Sequence, residues 1–571
     1  MDNLPVEILL EIFESLSQKD LVSLQTVSKR LSSVARANLF WRDFCYDKSP
    51  AVKIRSWTTF SQIASQIPDG ANTANETAAT FASMLQMVDA GTVPLRTGLN
   101  QTKTAAANRP RTKRLRDIAN WDPSYASERV DWYSEYIARA GPLSVSWFQP
   151  ASEEVKGLAH WQQGQEQRAI APLEDGTICV WDANTGQEIN RSPSGALNSS
   201  EHSFQSFSGA TECVSVDSTV GRAFFAVGSQ LKTVNLDTLQ VLSSHEFTFP
   251  ITALSQSRQT LSDVPLTVGT RASVHMFDPR EHTVLPTPVT DIDSPPSPSL
   301  VAGDSYPISI LNATANSIYL AGRYPSILAY DRRFFPRLED TIYSGARLCS
   351  LGISHFEALP PSANLSPIST LLACGEYNGR GSLELYSLPY QKEDEASRVY
   401  KNRQSASRSK LLSVASHGTR IVFSDADGGL KWVERDGSSL VRSWNINQFR
   451  FNEPESHIRQ ANGRARTVLE FGAQGGDVVR KIIPLQTQET ERGIRGDGDL
   501  LVWTGEKAGI IKFRSEEIWE DAKETVDTEM VGGDSRGTKS QREVRQMEDA
   551  MRRALMRHAD EMNWMRRLGL S

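Results

Sequence analysis

The sequence predicts a multidomain protein with a small α-helical module at its N terminus, an all-β seven-bladed propeller behind it, and a C-terminal helix. Apolar residues in roughly the first 45 positions recur at helical spacing. From residue 143 onward, short β-rich runs alternate with turn signals in a unit of about 35–45 residues, a period typical of propeller blades. The chain has 571 residues, beyond the roughly 250–300 residues at which one hydrophobic core stops growing, so more than one module is expected.

The composition is that of an ordinary globular protein, with 39% hydrophobic and 23% charged residues and a formal net charge of −6. This charge gives no electrostatic reason to expect nucleic acid or an anionic membrane as a partner. The sequence contains no apolar run of about 18 residues, and the N terminus lacks the basic start of a signal peptide. We therefore expect neither a nucleic-acid partner nor a membrane partner.

The five cysteines are scattered and form no CxxC pair. Several alternate with apolar neighbours, as residues of buried strands do. We expect reduced thiols and a location in the cytoplasm or the nucleus. The cysteines are Cys45, Cys179, Cys213, Cys349 and Cys374.

The N-terminal module begins at Leu4 and Pro5, since proline is well tolerated at the start of a helix. Ile8, Leu9, Ile12, Phe13 and Leu16 follow on one helical face. After a polar break, a second apolar stripe is formed by Leu21, Leu24, Val27, Leu31 and Val34. The residues alone leave two readings open: a helical hairpin that packs on the rest of the chain, or a module whose apolar surplus contacts another protein.

The segments LPVEILLEIF, KDLVSLQTVSKRL and FW, in this order and spacing, closely resemble the F-box motif. The resemblance covers under a tenth of the chain. It implies binding to the Skp-type adaptor of a cullin–RING ubiquitin ligase, and through the adaptor to the cullin and the RING subunit. The residues that it implies for the adaptor face are Leu4, Pro5, Ile8, Leu9 and Ile12, with Leu24 and Val27 from the second stripe.

We expect four segments: an F-box at 1–48, a helical and partly flexible connector at 49–142, the propeller at 143–515, and a C-terminal extension at 516–571. Within the connector, helices are expected at 57–66 and 78–89, and about 20 residues within 92–114 are expected to form a flexible or loosely attached linker. The basic run at 109–116 is either a solvated stretch or a nuclear import signal. The aromatic segment 121–137 is expected to pack against the propeller and to fix the angle between the modules.

Seven hairpins are predicted in the propeller, at 168–188, 224–238, 265–280, 318–333, 371–388, 420–437 and 500–515. The first ends its second strand in Trp181-Asp182 and resembles a WD repeat; the others are more degenerate. A pair of β-sandwiches is the alternative. Because a closed propeller needs its last blade finished by a strand from the other end, we expect 143–148 to pair with 510–513. Residues 541–571 carry a Met-rich stripe and are expected to form an amphipathic helix, packed on the protein or free for a partner.

No catalytic or metal-binding motif is present, so we expect a non-catalytic protein without cofactors or metals. By the family resemblance, the turns between the second and third strands line the face where targets bind. Basic residues occupy four of these turns: Arg271, Arg323, Arg380 and Lys507. Arginine forks suit carboxylates and phosphates. An acidic or phosphorylated protein target is the sharper hypothesis, and charge for solubility alone is the alternative.

The resemblance taken as a whole implies the substrate-recognition subunit of an SCF-type ubiquitin ligase. Two other functions stay open: a propeller scaffold that uses the adaptor outside ubiquitination, and a propeller hydrolase.

Overall fold

The computed structural model describes residues 4–49, 108–124, 128–148, 153–164, 166–198, 213–256, 264–278, 306–354, 369–388, 399–447, 476–485, 494–495 and 498–513. The chain divides into two compact units, Met1–Ser515 and Glu516–Ser571. All described residues belong to the first unit. The helices expected at 57–66 and 78–89 and the C-terminal helix lie outside the described residues.

The helical module contains four short helices, and the second apolar stripe is divided between two of them. Ser17 caps one of these helices through a capping box with Asp20, and Ser28 caps the next. A further two helices belong to the connector. In chain order the six are α1 (Val6–Phe13), α2 (Gln18–Gln25), α3 (Lys29–Ala35), α4 (Asn38–Asp47), α5 (Asn108–Trp121) and α6 (Trp132–Ala140).

The prediction of a flexible or loosely attached linker within 92–114 does not hold for residues 108–114, which are helical. Residues 108–114 form the first half of α5. Arg114 in this helix forms ion pairs with Asp43 (3.5 Å) and Asp47 (2.9 Å) of α4. Part of the basic run therefore holds α5 against the helical module. Residues 92–107 lie outside the described residues.

The described strands of the β region form a propeller of seven blades, as predicted, with blades 3 and 4 continuous in one seven-stranded sheet. Each described blade has four antiparallel strands, except the third, in which three strands are described. Blade 1 comprises β3 (Ala159–Gln163), β4 (Glu166–Pro172), β5 (Ile178–Asp182) and β6 (Glu188–Arg191). Blade 2 comprises β7 (Val214–Asp217), β8 (Arg222–Val227), β9 (Gln230–Asn235) and β10 (Val241–Glu246). Blade 3 comprises β11 (Ile251–Gln256), β12 (Leu266–Thr270) and β13 (Val274–Phe277).

Blades 4 to 7 continue this order around the ring. A separate parallel pair, β1 (Val130–Asp131) with β27 (Ile494–Arg495), joins the connector to the seventh blade. Blade 4 comprises β14 (Pro307–Asn312), β15 (Ser317–Gly322), β16 (Ser326–Asp331) and β17 (Leu338–Tyr343), and blade 5 comprises β18 (Arg347–Ser354), β19 (Ser369–Tyr377), β20 (Arg380–Leu388) and β21 (Val399–Ser407). Blade 6 comprises β22 (Leu411–His417), β23 (Arg420–Asp425), β24 (Gly429–Glu434) and β25 (Leu440–Asn445). Blade 7 comprises β26 (Lys481–Pro484), β28 (Leu500–Trp503), β29 (Ala508–Phe513) and β2 (Leu143–Trp147).

All seven predicted hairpins are present as the second and third strands of the blades. The aromatic-Asp step that recurs in several of them has a local cause. In the first blade Trp181 is buried and stacks on Phe148 at 5.5 Å between ring centroids. The next residue, Asp182, ends the strand, because its carboxylate accepts the N–H of Asn184 at 2.8 Å. Asp331 ends β16 in the same way, accepting the N–H of Arg333 at 2.9 Å.

The predicted closure of the ring is confirmed. Strand β2 pairs antiparallel with β29, from Leu143 opposite Phe513 to Trp147 opposite Gly509. It forms the outer strand of the seventh blade, whose other strands come from the C-terminal end of the propeller. The two ends of the propeller chain are therefore joined in one sheet.

Hydrogen bonds cross each seam between neighbouring blades. Blades 3 and 4 are joined by parallel pairing of β11 with β14, and blades 7 and 1 by Trp503 Nε1, which donates to Val155 O at 2.7 Å. Small side chains on or beside the inner strands serve the other seams: Cys213 Sγ to Lys156 O (3.2 Å), Ser215 Oγ to Ser255 O (2.8 Å), Leu351 N to Ser309 Oγ (3.1 Å), Cys349 Sγ to Leu411 O (3.0 Å) and Ile482 N to Ser413 Oγ (3.0 Å).

The strand directions define two faces of the propeller. Each strand of a blade runs antiparallel to the one before it, so after four strands the chain is back on the side of the disc where the blade began. Short connections such as 344–346 and 408–410 then lead into the next blade on that same side. We call this side the upper face; it carries the turns between second and third strands. The lower face carries the turns between first and second and between third and fourth strands.

Candidate functional site

The helical module is held together by a small core of its own. Leu9 and Phe13 of α1 are buried, together with part of the second apolar stripe. Trp41 of α4 is fully buried, and its indole N–H donates to the carbonyl of Ala35 at 2.7 Å. The stripe residues that lie in this core are Leu21, Leu31 and Val34.

The residues predicted for adaptor binding fall into two groups. Leu4, Pro5, Ile8 and Val27 are exposed, with 36% of Leu4, 43% of Ile8 and 66% of Val27 accessible. Leu9, in contrast, is completely buried, which assigns it to the core of the module. The half-buried residues are Ile12 and Leu24. Two further exposed apolar side chains that the sequence did not single out are Val6 and Leu39.

Helix α6 connects the helical module to the propeller and is buried over most of its length. Trp41 packs against Tyr133 and Tyr136, with ring centroids 4.7 and 5.0 Å away. The side chain of Asn38 donates to Val130 O and accepts the N–H of Trp132, both at 3.0 Å. The described part of the aromatic segment therefore packs on the helical module. Its predicted packing on the propeller is confirmed by the contacts of Glu135 given below, and its role in fixing the angle between the modules stays a prediction.

On its other side, α6 inserts two charged residues into the lower face of blade 6. Arg139 binds both carboxylate oxygens of Glu434, at 2.7 and 2.9 Å. Glu135 forms ion pairs with Arg139 and Arg420, both at 3.2 Å, and accepts the N–H of Thr419 at 2.7 Å. All four charged side chains are buried.

The network lowers the pKa of one of its members, Glu135. Burial alone would raise the pKa of Glu135, but the neighbouring guanidinium groups of Arg420 and Arg139 and the hydrogen bond from Thr419 outweigh it and lower the pKa to about 2. The Glu135 carboxylate is thus ionised at neutral pH. Two positive and two negative charges balance inside the junction, which is the condition under which buried charges are tolerated.

A second ion pair ties the connector to the same blade. Arg435 binds both carboxylate oxygens of Glu128, each at 2.6 Å, and donates to Pro123 O at 2.9 Å. His417 of β22 donates to Gly498 O at 2.6 Å in the connection of blade 7. The helical module and its connector therefore lie at the lower face of blades 6 and 7.

Two of the predicted target-binding residues come together on the upper face. Arg271 follows β12 in blade 3, Arg323 follows β15 in blade 4, and both are exposed. The ring of Tyr306, which precedes the first strand of blade 4, lies 5.9 Å from the Arg271 guanidinium carbon and 5.0 Å from that of Arg323. Phe249 is exposed close by, in the connection whose Pro250 carbonyl accepts the N–H of Arg271 at 3.1 Å.

The other two predicted residues are placed differently. Arg380 is exposed at the tip of the β19–β20 hairpin, on the next blade of the same sector. Lys507 lies on blade 7, between blades 6 and 1, where its ammonium group is 3.5 Å from Asp477. The ring order therefore separates Lys507 from the three arginines and leaves it among the acidic turns of Glu174, Asp175, Asp425 and Asp427.

Sequence reasoning missed Tyr306 and Phe249. Each stands just before the first strand of a blade, on the upper face that also carries the hairpin turns of Arg271 and Arg323. Aromatic residues directly before a predicted inner strand are the signal that could have found them. Together with Arg271 and Arg323 they give this sector the arginine and aromatic composition typical of protein-binding sites.

Within the described residues, no group of three or more histidine, cysteine, aspartate or glutamate side chains is arranged to hold a metal ion. In the same part of the chain, no helix has the length and apolar character needed to cross a membrane.

Residues 1–47 match the family model of F-box-like domains. The helical module formed by α1–α4 is an F-box-like domain, and domains of this family generally bind Skp-type adaptors. Among solved structures, the chain is similar to the crystal structure of the RRP9 WD40 repeats, with 10% sequence identity and a TM-score of 0.43. That match covers 65% of this chain and 97% of the other. No curated protein matches the chain.

The protein thus consists of an F-box-like domain followed by a β region that resembles a WD-repeat propeller. The strand pairing described above, with one hairpin in each of seven blades, defines the propeller. F-box-like domains are typically non-catalytic.

Proposed function

We propose that this protein is the substrate-recognition subunit of an SCF-type ubiquitin ligase. The F-box-like domain binds the Skp-type adaptor and, through it, the cullin and the RING subunit. The upper face of the propeller binds the protein target. The observation that carries the proposal is that one chain presents exposed apolar residues on the F-box-like domain and an arginine–aromatic cluster on the opposite face of the propeller.

The adaptor face is drawn from the exposed apolar residues of the F-box-like domain. Leu4, Pro5 and Ile8 lie at the start of α1, and Val27 lies between α2 and α3. Exposed side chains of this size have apolar surface left to bury in a complex. Leu9 and Phe13 hold α1 in place from the inside, so their contribution to adaptor binding is indirect.

The target is proposed to be an acidic or phosphorylated protein segment. Arg271 and Arg323 approach one tyrosine ring from neighbouring blades, and guanidinium groups bind carboxylates and phosphates through paired N–H donors. Arg380 extends the same basic sector. Glu376 of β19 is an acid in the same sector. We place the receptor in the cytoplasm or the nucleus, where it would encounter both the adaptor and the target.

The adaptor proposal predicts a large loss of affinity when three exposed anchors are truncated together. A few buried side chains dominate such interfaces, each costing about 2 kcal/mol or more on truncation. The variant Leu4→Ala, Pro5→Ala, Ile8→Ala should therefore bind purified Skp-type adaptor at least about a hundredfold more weakly in calorimetry.

The matched control truncates exposed apolar residues of blade 2, Val220→Ala and Leu242→Ala, which are 54% and 53% accessible. Adaptor affinity should not change in this control. Unchanged affinity in the triple variant, with its circular dichroism intact, would exclude the start of α1 as the adaptor face.

A further inference from the structure

A cleft of about 470 Å³ lies between the F-box-like domain and the connector. One wall is formed by residues at the end of α3 and the start of α4, and the other by residues of 122–124 and 128–132. The volume is within the range of about 300–1000 Å³ that is typical of small-molecule sites. Most of the lining side chains are polar or charged, so the cleft suits a polar ligand.

The two acids that line the cleft are already bound by arginines. Both carboxylate oxygens of Glu128 accept from Arg435, each at 2.6 Å. Asp122 lies 3.3 Å from Nη1 of Arg42. Its other oxygen accepts the N–H and the hydroxyl of Ser124, at 2.9 and 2.6 Å. Neither carboxylate is therefore left to balance the charge of a further arginine.

Two other arginines of the lining have no acidic partner among the described residues. Arg36 donates through Nε to the amide oxygen of Gln25 at 2.7 Å, and its guanidinium carbon lies 4.8 Å from the centre of the Tyr133 ring. Neither contact neutralises its charge. Arg129, on the opposite wall, is exposed and forms no ion pair within the described part of the chain. The cleft therefore has unbalanced positive charge on both walls.

We propose that this cleft binds a small molecule through its phosphate group. Guanidinium groups bind phosphate oxygens through paired N–H donors. Ser33 is exposed one helical turn before Arg36 on the same wall and adds a hydroxyl donor. A phosphate group has up to two negative charges and three acceptor oxygens at neutral pH. It therefore matches two arginines and a hydroxyl better than a carboxylate, which has a single charge.

The ligand would connect two parts of the chain. Arg36 belongs to the F-box-like domain, whereas Arg129 directly precedes β1, which pairs with β27 beside the seventh blade. A molecule held by both arginines adds a link between the F-box-like domain and the segment that joins it to the propeller. Because it binds only the folded chain, it also stabilises the fold. The site does not depend on the function proposed above.

The test is isothermal titration calorimetry of the full-length protein, with inorganic pyrophosphate as the probe. The wild type should bind pyrophosphate at the cleft. Arg129→Gln removes one charge-assisted donor pair and should weaken this binding at least about tenfold. Ser33→Asp places a carboxylate one turn from Arg36 and should weaken it by a similar factor. Both positions are exposed, so the thermal midpoints of the two variants without ligand should match that of the wild type.

Two controls separate the cleft from other basic surfaces. Arg116→Gln changes an exposed arginine of α5 that does not line the cleft, and Arg271→Gln, Arg323→Gln changes the upper face. Both controls should keep the binding that Arg129→Gln loses. The proposal would be overturned by a wild type that binds no pyrophosphate, or by equal affinity in the wild type, Arg129→Gln and Ser33→Asp. Binding that is kept in Arg129→Gln but lost from the upper-face variant would also overturn it.

Discussion

Four buried charges decide how the F-box-like domain is attached to the propeller. Arg139 and Glu135 come from α6, whereas Glu434 and Arg420 come from blade 6. A buried ion pair adds little net stability compared with apolar residues, but removing one partner leaves an uncompensated charge in the interior. The network therefore favours one orientation of α6 on the blade, since any other would separate the charges.

Replacing Arg139 tests this network. Arg139→Met leaves two carboxylates facing one guanidinium group, and unfolding in urea should show a loss of about 3–5 kcal/mol. The control Arg333→Met removes an exposed arginine whose ion pair with Asp331 lies at the surface, and should cost about 1 kcal/mol or less. Equal losses in the two variants would show that the junction charges are solvated.

His417 makes the same junction sensitive to pH. Burial, followed by the positive charge of Arg420, lowers its pKa to about 3, although the Gly498 carbonyl and Glu135 act in the opposite direction. The neutral ring is held between two groups: its Nδ1 accepts the N–H of Trp432 at 3.2 Å, and its Nε2 donates to Gly498 O. A proton on Nδ1 would remove the bond from Trp432.

The folded pKa of His417 is below its value of about 6.5 in an unfolded chain. Between these values the unfolded chain binds the extra proton, so stability falls as the pH falls from about 6.5 towards 3. This residue should account for a loss of about 2 kcal/mol between pH 7 and pH 5. His417→Gln should reduce the pH dependence measured by urea unfolding, and an unchanged slope would contradict a neutral buried histidine.

At the scale of elements, strand β2 has two roles, since it follows α6 directly and also closes the ring. Leu143 is buried in the core between blades 6 and 7, and Val145 and Trp147 pack partly against that core. Without β2, strand β29 would become an unpaired edge. We therefore expect β2 to matter more than an ordinary outer strand.

Replacing residues 143–147 by a Gly/Ser stretch of equal length tests this role. The thermal midpoint should fall much further than after the same replacement of β10, an outer strand of blade 2 whose side chains are mostly exposed. Differential scanning calorimetry gives both midpoints. Equal shifts would mean that β2 is an ordinary outer strand and that the ring is held closed by other contacts.

The hairpins could be predicted from the sequence because their causes are local. Asp175-Gly176 specifies a tight turn, with Gly176 in the left-handed region at a φ of 81°. The division of the second apolar stripe could not be predicted, since Leu21 and Val27 fit the same spacing and differ only in what packs over them. The contact of Arg271 and Arg323 with the ring of Tyr306 likewise depends on how neighbouring blades pack, which local patterns do not encode.

At the scale of the whole molecule, the two proposed binding faces lie on opposite sides of one body. The buried helix α6 and the ion pairs of Arg139 and Arg435 join the F-box-like domain to the lower face. The arginine–aromatic cluster lies on the upper face. A target held there would keep a defined position relative to the adaptor, because α4 packs on α6 and α6 packs on blade 6.

The most direct test is affinity purification of the tagged full-length protein from cells, with quantitative mass spectrometry of its partners. The wild type should retain adaptor, cullin, RING subunit and a target together. Leu4→Ala, Pro5→Ala, Ile8→Ala should lose the first three partners and keep the target, whereas Arg271→Glu, Arg323→Glu, Arg380→Glu should do the reverse. Arg337→Glu, an exposed lower-face change, should lose nothing. A wild type that brings down adaptor without cullin and RING subunit, or a target still bound to the upper-face variant at wild-type level, would contradict the account.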